Sequence, residues 1–322
     1  MKPIAPVAVL AAAYLLVPLL LGGNAYLMTL LVSALIIAGI ALAWALLGNL
    51  GGMVSFGHAA FFGVGAYTSA LLSMQAGLPV LLAIPLGGLG AALAAVAVLP
   101  ALRLSGPYFA LAILAYAHIF RILATELKSL TGGSAGILGI PGLPTLGGLE
   151  LGSRNGQYLL VLTVVLAFIA LYRAIWRSDY GLALRAMHDS EDATRVVGVN
   201  STLLKAAMLF VSAFMTGTIG ALNAHVINFL DPDYAFSGAW TIVPIAAAIF
   251  GGYRTLGGPL LGAIAVYLLD QLLFKALFPS GHQIILGVLL GAMILLSPNG
   301  LLPWISRRLQ RRPATEVRHA AA

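Results

Sequence analysis

The sequence contains no cysteine, so disulfides, thiolate nucleophiles and cysteine-ligated clusters are excluded. Charge is almost as scarce: 8% of the 322 residues are Asp, Glu, Lys or Arg, where soluble domains carry about 25%. Between Tyr14 and Arg103 there is none, and His58 is the only side chain of that stretch that titrates near neutrality. A soluble chain cannot turn so long a stretch without charge toward water. A chain in lipid must do so, because a charge at the bilayer centre costs about 2.5 kcal/mol or more. The HExxH and Walker lysine patterns are also missing, and the one GxSxG string, Gly132–Gly136, lies in a glycine-rich loop with no histidine near it in sequence. The six histidines, at 58, 118, 188, 225, 282 and 319, are scattered and form no HExxH pair, so neither a metal centre nor a hydrolase is expected.

What the chain does have is apolar length. Hydrophobic residues make up 61% of it, and the mean hydropathy is +1.00. The apolar runs are continuous, which argues against a membrane β-barrel with its alternating lumen-facing positions. At about 20 residues per crossing, the expected fold is all-α: a polytopic transmembrane bundle of about ten spans with broken, Gly-rich segments. The spans are placed at 4–21, 26–47, 59–76, 79–99, 107–125, 157–172, 204–226, 240–252, 257–275 and 284–298. The first of these, after a single Lys2, is read as a retained span because Gly22 and Gly23 make a poor cleavage site. A membrane domain is therefore expected over 1–303, with an inner loop at 173–205 and a basic tail at 304–322.

The net charge of +7 is not a nucleic-acid footprint, because the basic residues lie in loops and tails, where they orient helices. With ten spans, thirteen of the 17 Lys and Arg fall on one side and four (Arg121, Lys128, Arg154, Lys275) on the other. That asymmetry predicts both termini in the cytoplasm.

Two loops stand out. Residues 126–156 form a glycine-rich outer loop, expected to fold compactly at the membrane surface or to meet a soluble partner. Residues 173–205 hold nine of the 27 charged side chains. Their central run, 180–197, reads as a short surface helix with a partial apolar stripe of Leu182, Ala186, Ala193, Val196 and Val197. It is either a solvated face or a docking element for a cytoplasmic protein.

Within the spans, residues 48–67 carry six glycines. Gly51 and Gly52 are expected to interrupt a helix, and buried Ser55 and His58 would need polar partners. Close packing and a broken helix lining a translocation path both fit Gly52, Ser55, Gly57 and His58. A similar break recurs at Gly251 and Gly252. Arg121 is read with His118 and Glu126, and Asn223, His225 and Asn228 crowd an outer helix end. Asp270 is expected to pair or snorkel near the outer end of the ninth span.

Taken together, GGMVSFGHAAFFGVGAY at 51–67, LRLSGPYFALAILAYAHIFR at 102–121, LTGGSAGILGIP at 130–141, DYGLALRAMHDSEDATRVVGVN at 179–200 and FSGAWTIVPIAAAIFGGYRTLGGPLLGA at 236–263 resemble the branched-chain amino acid ABC transporter permeases, specifically the second of their two related permease subunits. The resemblance implies a type II ABC importer fold that pairs with a homologous second permease. It further implies two cytoplasmic ATPase subunits that bind the ATP, and a periplasmic or extracellular substrate-binding protein. No cofactor is expected in this chain, and it is not expected to be an enzyme. Arg185, Asp189, Ser190, Glu191, Ala193 and Gly198 match the family's recurrent ATPase-coupling positions. His188 and Tyr253 depart from the family pattern. A related branch imports urea, and an ion-coupled secondary transporter is the mechanistic alternative. It would leave the charged inner loop without a role.

Overall fold

The computed structural model describes residues 4–104, 106–279, 281–296 and 300–303; the basic tail expected at 304–322 lies outside them. The elements run α1 (Ile4–Leu21), α2 (Ala25–Gly51), α3 (His58–Gln75), α4 (Val80–Ala94, prolonged by 3-10 turns to Arg103) and α5 (Pro107–Glu126). A connection follows with α6 (Lys128–Thr131), β1 (Ile137–Leu138), β2 (Thr145–Leu146) and β3 (Leu149–Glu150). The chain continues through α7 (Arg154–Arg177), α8 (Asp179–Asp189), α9 (Glu191–Val196) and α10 (Ser201–Ile227), then β4 (Phe229–Leu230) and α11 (Pro232–Ala235). It closes with α12 (Ala239–Gly251), α13 (Gly258–Leu269), α14 (Lys275–Leu277) and α15 (His282–Leu296).

Helices form at all ten expected segments. Seven, among the described residues, are long and apolar enough to cross a membrane: 25–51, 80–103, 107–126, 154–177, 201–227, 232–251 and 258–277. Helix α3 carries His58, serines and Gln75 within its 18 residues, and α15 has only 15. Short polar side chains start the helices by accepting the orphan N–H groups of the first turn: Asn24 for α2, Ser153 for α7, Ser178 for α8 and Asn200 for α10.

Helix α2 is the axis of the bundle: 89% of its apolar window is buried, and it packs against α7, α10, α12 and α13. Its length is apolar on every face, as a helix enclosed by other helices must be. By contrast, only 28% of α5 and 17% of the 258–277 helix is buried, and residues such as Leu111 and Leu261 point outward, as suits lipid or another apolar partner.

Helices α3, α4 and α10 form a second tight unit. A side chain at Gly65 would run into the backbone of Gly217, and one at Gly220 into the carbonyl of Phe62. Small residues let the helix backbones touch where lipid supplies no hydrophobic force between helices.

The 126–156 connection is compact. Strand β1 pairs antiparallel with β4, and β2 with β3 around Gly147 and Gly148. His225 Nδ1 meets the Pro141 carbonyl at 2.7 Å, and Asn228 donates to the Ile140 carbonyl at 2.9 Å. The polar end of α10 is therefore the anchor of this loop. These two-residue strands leave the fold all-α.

Candidate functional site

The charged run expected to form one helix over 180–197 is two, α8 and α9, meeting at Ser190. Its backbone is extended there (φ −157°, ψ 106°). Ser190 closes α8 by donating its N–H to the Ala186 carbonyl, and opens α9 by accepting from the Ala193 N–H through its hydroxyl. The inward face of α8 is Gly181, Leu184 and Met187, at a spacing of three. A side chain at Gly181 would strike the carbonyls of Ile175 and Trp176 at the end of α7. The stripe expected from the sequence faces the other way: Leu182, Val196 and Val197 are 62%, 87% and 77% exposed.

Arg185 lies over the Trp176 ring, 4.7 Å from its centre. Asp189, Ser190 and Ala193 are exposed. Glu191 sits between two cations, with Oε1 2.7 Å from Arg195 and Oε2 2.7 Å from Lys205 on α10. The hydrogen bond from Lys205 holds its carboxyl below the usual carboxylate range, against the opposing pull of partial burial. Gly198, in the left-handed region at φ +88°, ends α9. The six coupling candidates thus lie together on one two-helix module.

This module touches the end of α2. Gly52 terminates α2 in the left-handed region at φ +65°, and a side chain there would press on the His188 ring at 3.2 Å. Two small cavities, of about 260 and 180 Å3, both border Gly52, Glu191 and Lys205.

Beyond Gly52 the chain turns back along α2 without regular secondary structure. The Trp44 indole donates to the Ser55 carbonyl at 3.1 Å, so 53–57 has climbed two turns up α2 before α3 starts. Helix α3 therefore begins inside the bundle. The Ala59 N–H in its first turn donates to the Thr241 hydroxyl at 3.0 Å, and His58 Nε2 meets the Ser212 hydroxyl at 3.1 Å. Ser55 and His58 are fully buried. A side chain at Gly57 would strike Ile113, so this glycine serves close packing within a broken helix.

Gly251 and Gly252 lie in the α12–α13 turn. A side chain at Gly251 would collide with the Gly258 carbonyl, and Gly252 has φ +103°. Both glycines therefore permit a close backbone crossing. Arg121 pairs with Asp233 at 2.7 Å, a residue 112 positions away, instead of lying with Glu126. Asp270 opens a π-helical turn and accepts from the Gln271 amide at 3.3 Å.

A cavity of about 520 Å3 lies at the opposite end from α8 and α9. Helix α2 contributes Ser33 and Ile36, α7 contributes Arg154, α10 contributes Asn223, and Trp240 and Tyr267 come from α12 and α13. Such a chamber, assembled from six helices, has no linear sequence signature. The nearest hint is the polar crowding at the end of α10.

The family model described as branched-chain amino acid transport system, permease component, matches residues 26–297. The high-affinity branched-chain amino acid transport system permease protein LivM of Escherichia coli is 30% identical over 298 residues, which cover 85% of this chain and 68% of that protein. Its counterpart in Salmonella typhimurium is 30% identical, covering 81% and 66%. The chain thus spans about two thirds of the length of these two relatives. A probable LivM of Methanocaldococcus jannaschii is 24% identical, covering 76% and 78%. No solved structure matches the chain significantly.

Proposed function

The chain belongs to the branched-chain amino acid transport permease family, and from that premise we propose that it is one permease subunit of an ATP-driven importer of branched-chain amino acids. A second, homologous permease completes a type II transmembrane pair. Two separate ATPase subunits bind the ATP and dock on α8 and α9 from the cytoplasm. A substrate-binding protein delivers from the other side, with both termini of this chain in the cytoplasm.

The observation that carries the reading is the placement of the α8–α9 module. Its outer surface offers Leu182, Val196 and Val197 to a partner, and its inner surface grips α7 through Gly181, α10 through the Glu191–Lys205 pair, and the end of α2 at Gly52. Motion of a docked ATPase is thereby transmitted to the axial helix and to the helix that packs on α3 and α4. The broken segment, Gly52, Ser55, Gly57 and His58, and the turn at Gly251 and Gly252 then flank the translocation path and move when α2 moves.

Purification of the tagged chain from its native membrane tests the proposal. Recovery of a second permease and two ATPase chains, with leucine uptake after reconstitution, is the expected result. Leucine uptake by this chain alone, driven by an ion gradient, would overturn it.

A further inference from the structure

The 520 Å3 cavity is bordered by α2, α7, α10, α11, α12 and α13, and none of the break glycines Gly52, Gly57, Gly251 and Gly252 is in its lining. Its size is within the roughly 300–1,000 Å3 of small-molecule sites. Thr29 and Ile37 both line it, so it follows α2 for about 12 Å at 1.5 Å per residue, from the second turn inward.

Its chemistry is asymmetric. Among the described lining residues there is one cation, Arg154, and no carboxylate. Arg154 stands in the first turn of α7, only loosely held by the Gln157 amide oxygen at 3.3 Å, so its guanidinium retains donors for an incoming anion. Asn223 donates one amide N–H to the Tyr234 hydroxyl at 2.8 Å, which leaves its amide oxygen as an acceptor. Ile36 and Ile37 supply an aliphatic wall. Trp240 borders the cavity, stacked on Phe62 with ring centres 4.2 Å apart. The next residue, Thr241, accepts the Ala59 N–H at the start of α3. The cavity therefore ends where the broken helix begins.

We propose that this cavity is a binding chamber for one free aliphatic α-amino acid, with its carboxylate at Arg154, its ammonium at the Asn223 oxygen and its side chain against Ile36 and Ile37. This rests on the importer reading and places the substrate within this subunit, on the delivery side of Trp240. The absence of a lining carboxylate makes the ligand's own carboxylate the stronger handle, since bonds to an ionised group exceed neutral ones.

The native chain has no cysteine, so single cysteines report cleanly. Ser33→Cys and Thr29→Cys are made in the complete importer and treated with a small methanethiosulfonate reagent. Labelling of this chain and leucine uptake are followed together. The expected result is labelling of at least one site, slowed by leucine but not by leucinamide. Arg154→Gln should raise the leucine concentration for half-protection on the order of tenfold or more.

Normal uptake with labelling that leucine does not slow overturns the chamber and leaves the importer reading standing. The chamber is equally overturned if neither cysteine reacts at any stage of the ATP cycle, or if delipidation alone exposes them, which would make lipid the occupant. Absence of ATP-dependent uptake in the complete assembly with the unaltered chain would instead remove the importer reading.

Discussion

The carboxylate of Glu191 lies 2.7 Å from the ammonium of Lys205, a residue 14 positions away on a different helix. The second oxygen of Glu191 holds Arg195, so this acid fastens the surface module to α10. Side chains of this pair are 32% and 18% exposed. Glu191→Lys would leave three cations together, at a cost to the fold of about 1 kcal/mol for a pair this close to water. Membrane insertion should be normal, while substrate-dependent ATP hydrolysis and uptake are lost. Adding Lys205→Glu restores opposite charges and should recover part of both activities. Unchanged transport in Glu191→Lys carrying a bulky replacement of Ala193 would remove 180–197 as the coupling element.

The same tether sets a pH dependence. Because the Glu191 carboxyl is held below its ordinary range by Lys205, its stabilising contribution is complete above the unfolded value. It is lost as pH falls through the lower, folded value. Hydrogen exchange at 191–196 should be slower in the native chain than in Glu191→Gln at pH 7. The difference should persist to about pH 5 and fade only in acid below the usual Glu range of about 4.3. A difference that is larger at pH 4 than at pH 7 would contradict the geometry.

A packing test addresses the α3–α4–α10 unit. A methyl at Gly65 has the Gly217 backbone in its way, and backbone cannot rotate aside as a side chain can. Gly65→Ala should destabilise by about 1–3 kcal/mol, the usual range for overpacking, and lower the unfolding temperature in detergent. Gly23→Ala, with nothing within 4 Å of the added carbon, should stay within about 0.5 kcal/mol of the native chain.

The membrane character and the helices are legible in the sequence because apolar runs between charges leave the backbone no alternative in lipid. The break at 51–57 is legible too, since two adjacent glycines weaken a helix and Gly52 tolerates the left-handed turn. Side-chain partnerships are not. In sequence Arg121 sits near Glu126, yet the fold delivers Asp233, and Glu191 has the look of a docking charge although Lys205 already occupies it. The apolar stripe on α8 and α9 is visible in the sequence but its direction is not, because Ser190 resets the helix between its two halves. The large cavity is invisible for a related reason: none of its walls is complete in any one segment.

The outer connection gives a last test. His225 is buried and bridges Ser69 at 2.9 Å to the Pro141 carbonyl at 2.7 Å. Asn228, three residues on, ends α10 in the left-handed region at φ +63° and donates to the Ile140 carbonyl. His225→Ala removes both polar bonds and strands a buried serine hydroxyl and a carbonyl. The unmet groups should cost about 1–3 kcal/mol, divided between the connection at Pro141 and the α3–α10 seam at Ser69. Limited proteolysis should then cut within 137–148 in the variant but not in the native chain. Asn228→Gly, which keeps the left-handed turn but loses the amide, should show a smaller effect than Asn228→Val, which loses both. In the assembled importer these variants should retain basal ATP hydrolysis and lose stimulation by the loaded binding protein. Equal protease resistance in His225→Ala and the native chain would mean that strand pairing between β1 and β4 holds the connection without the histidine.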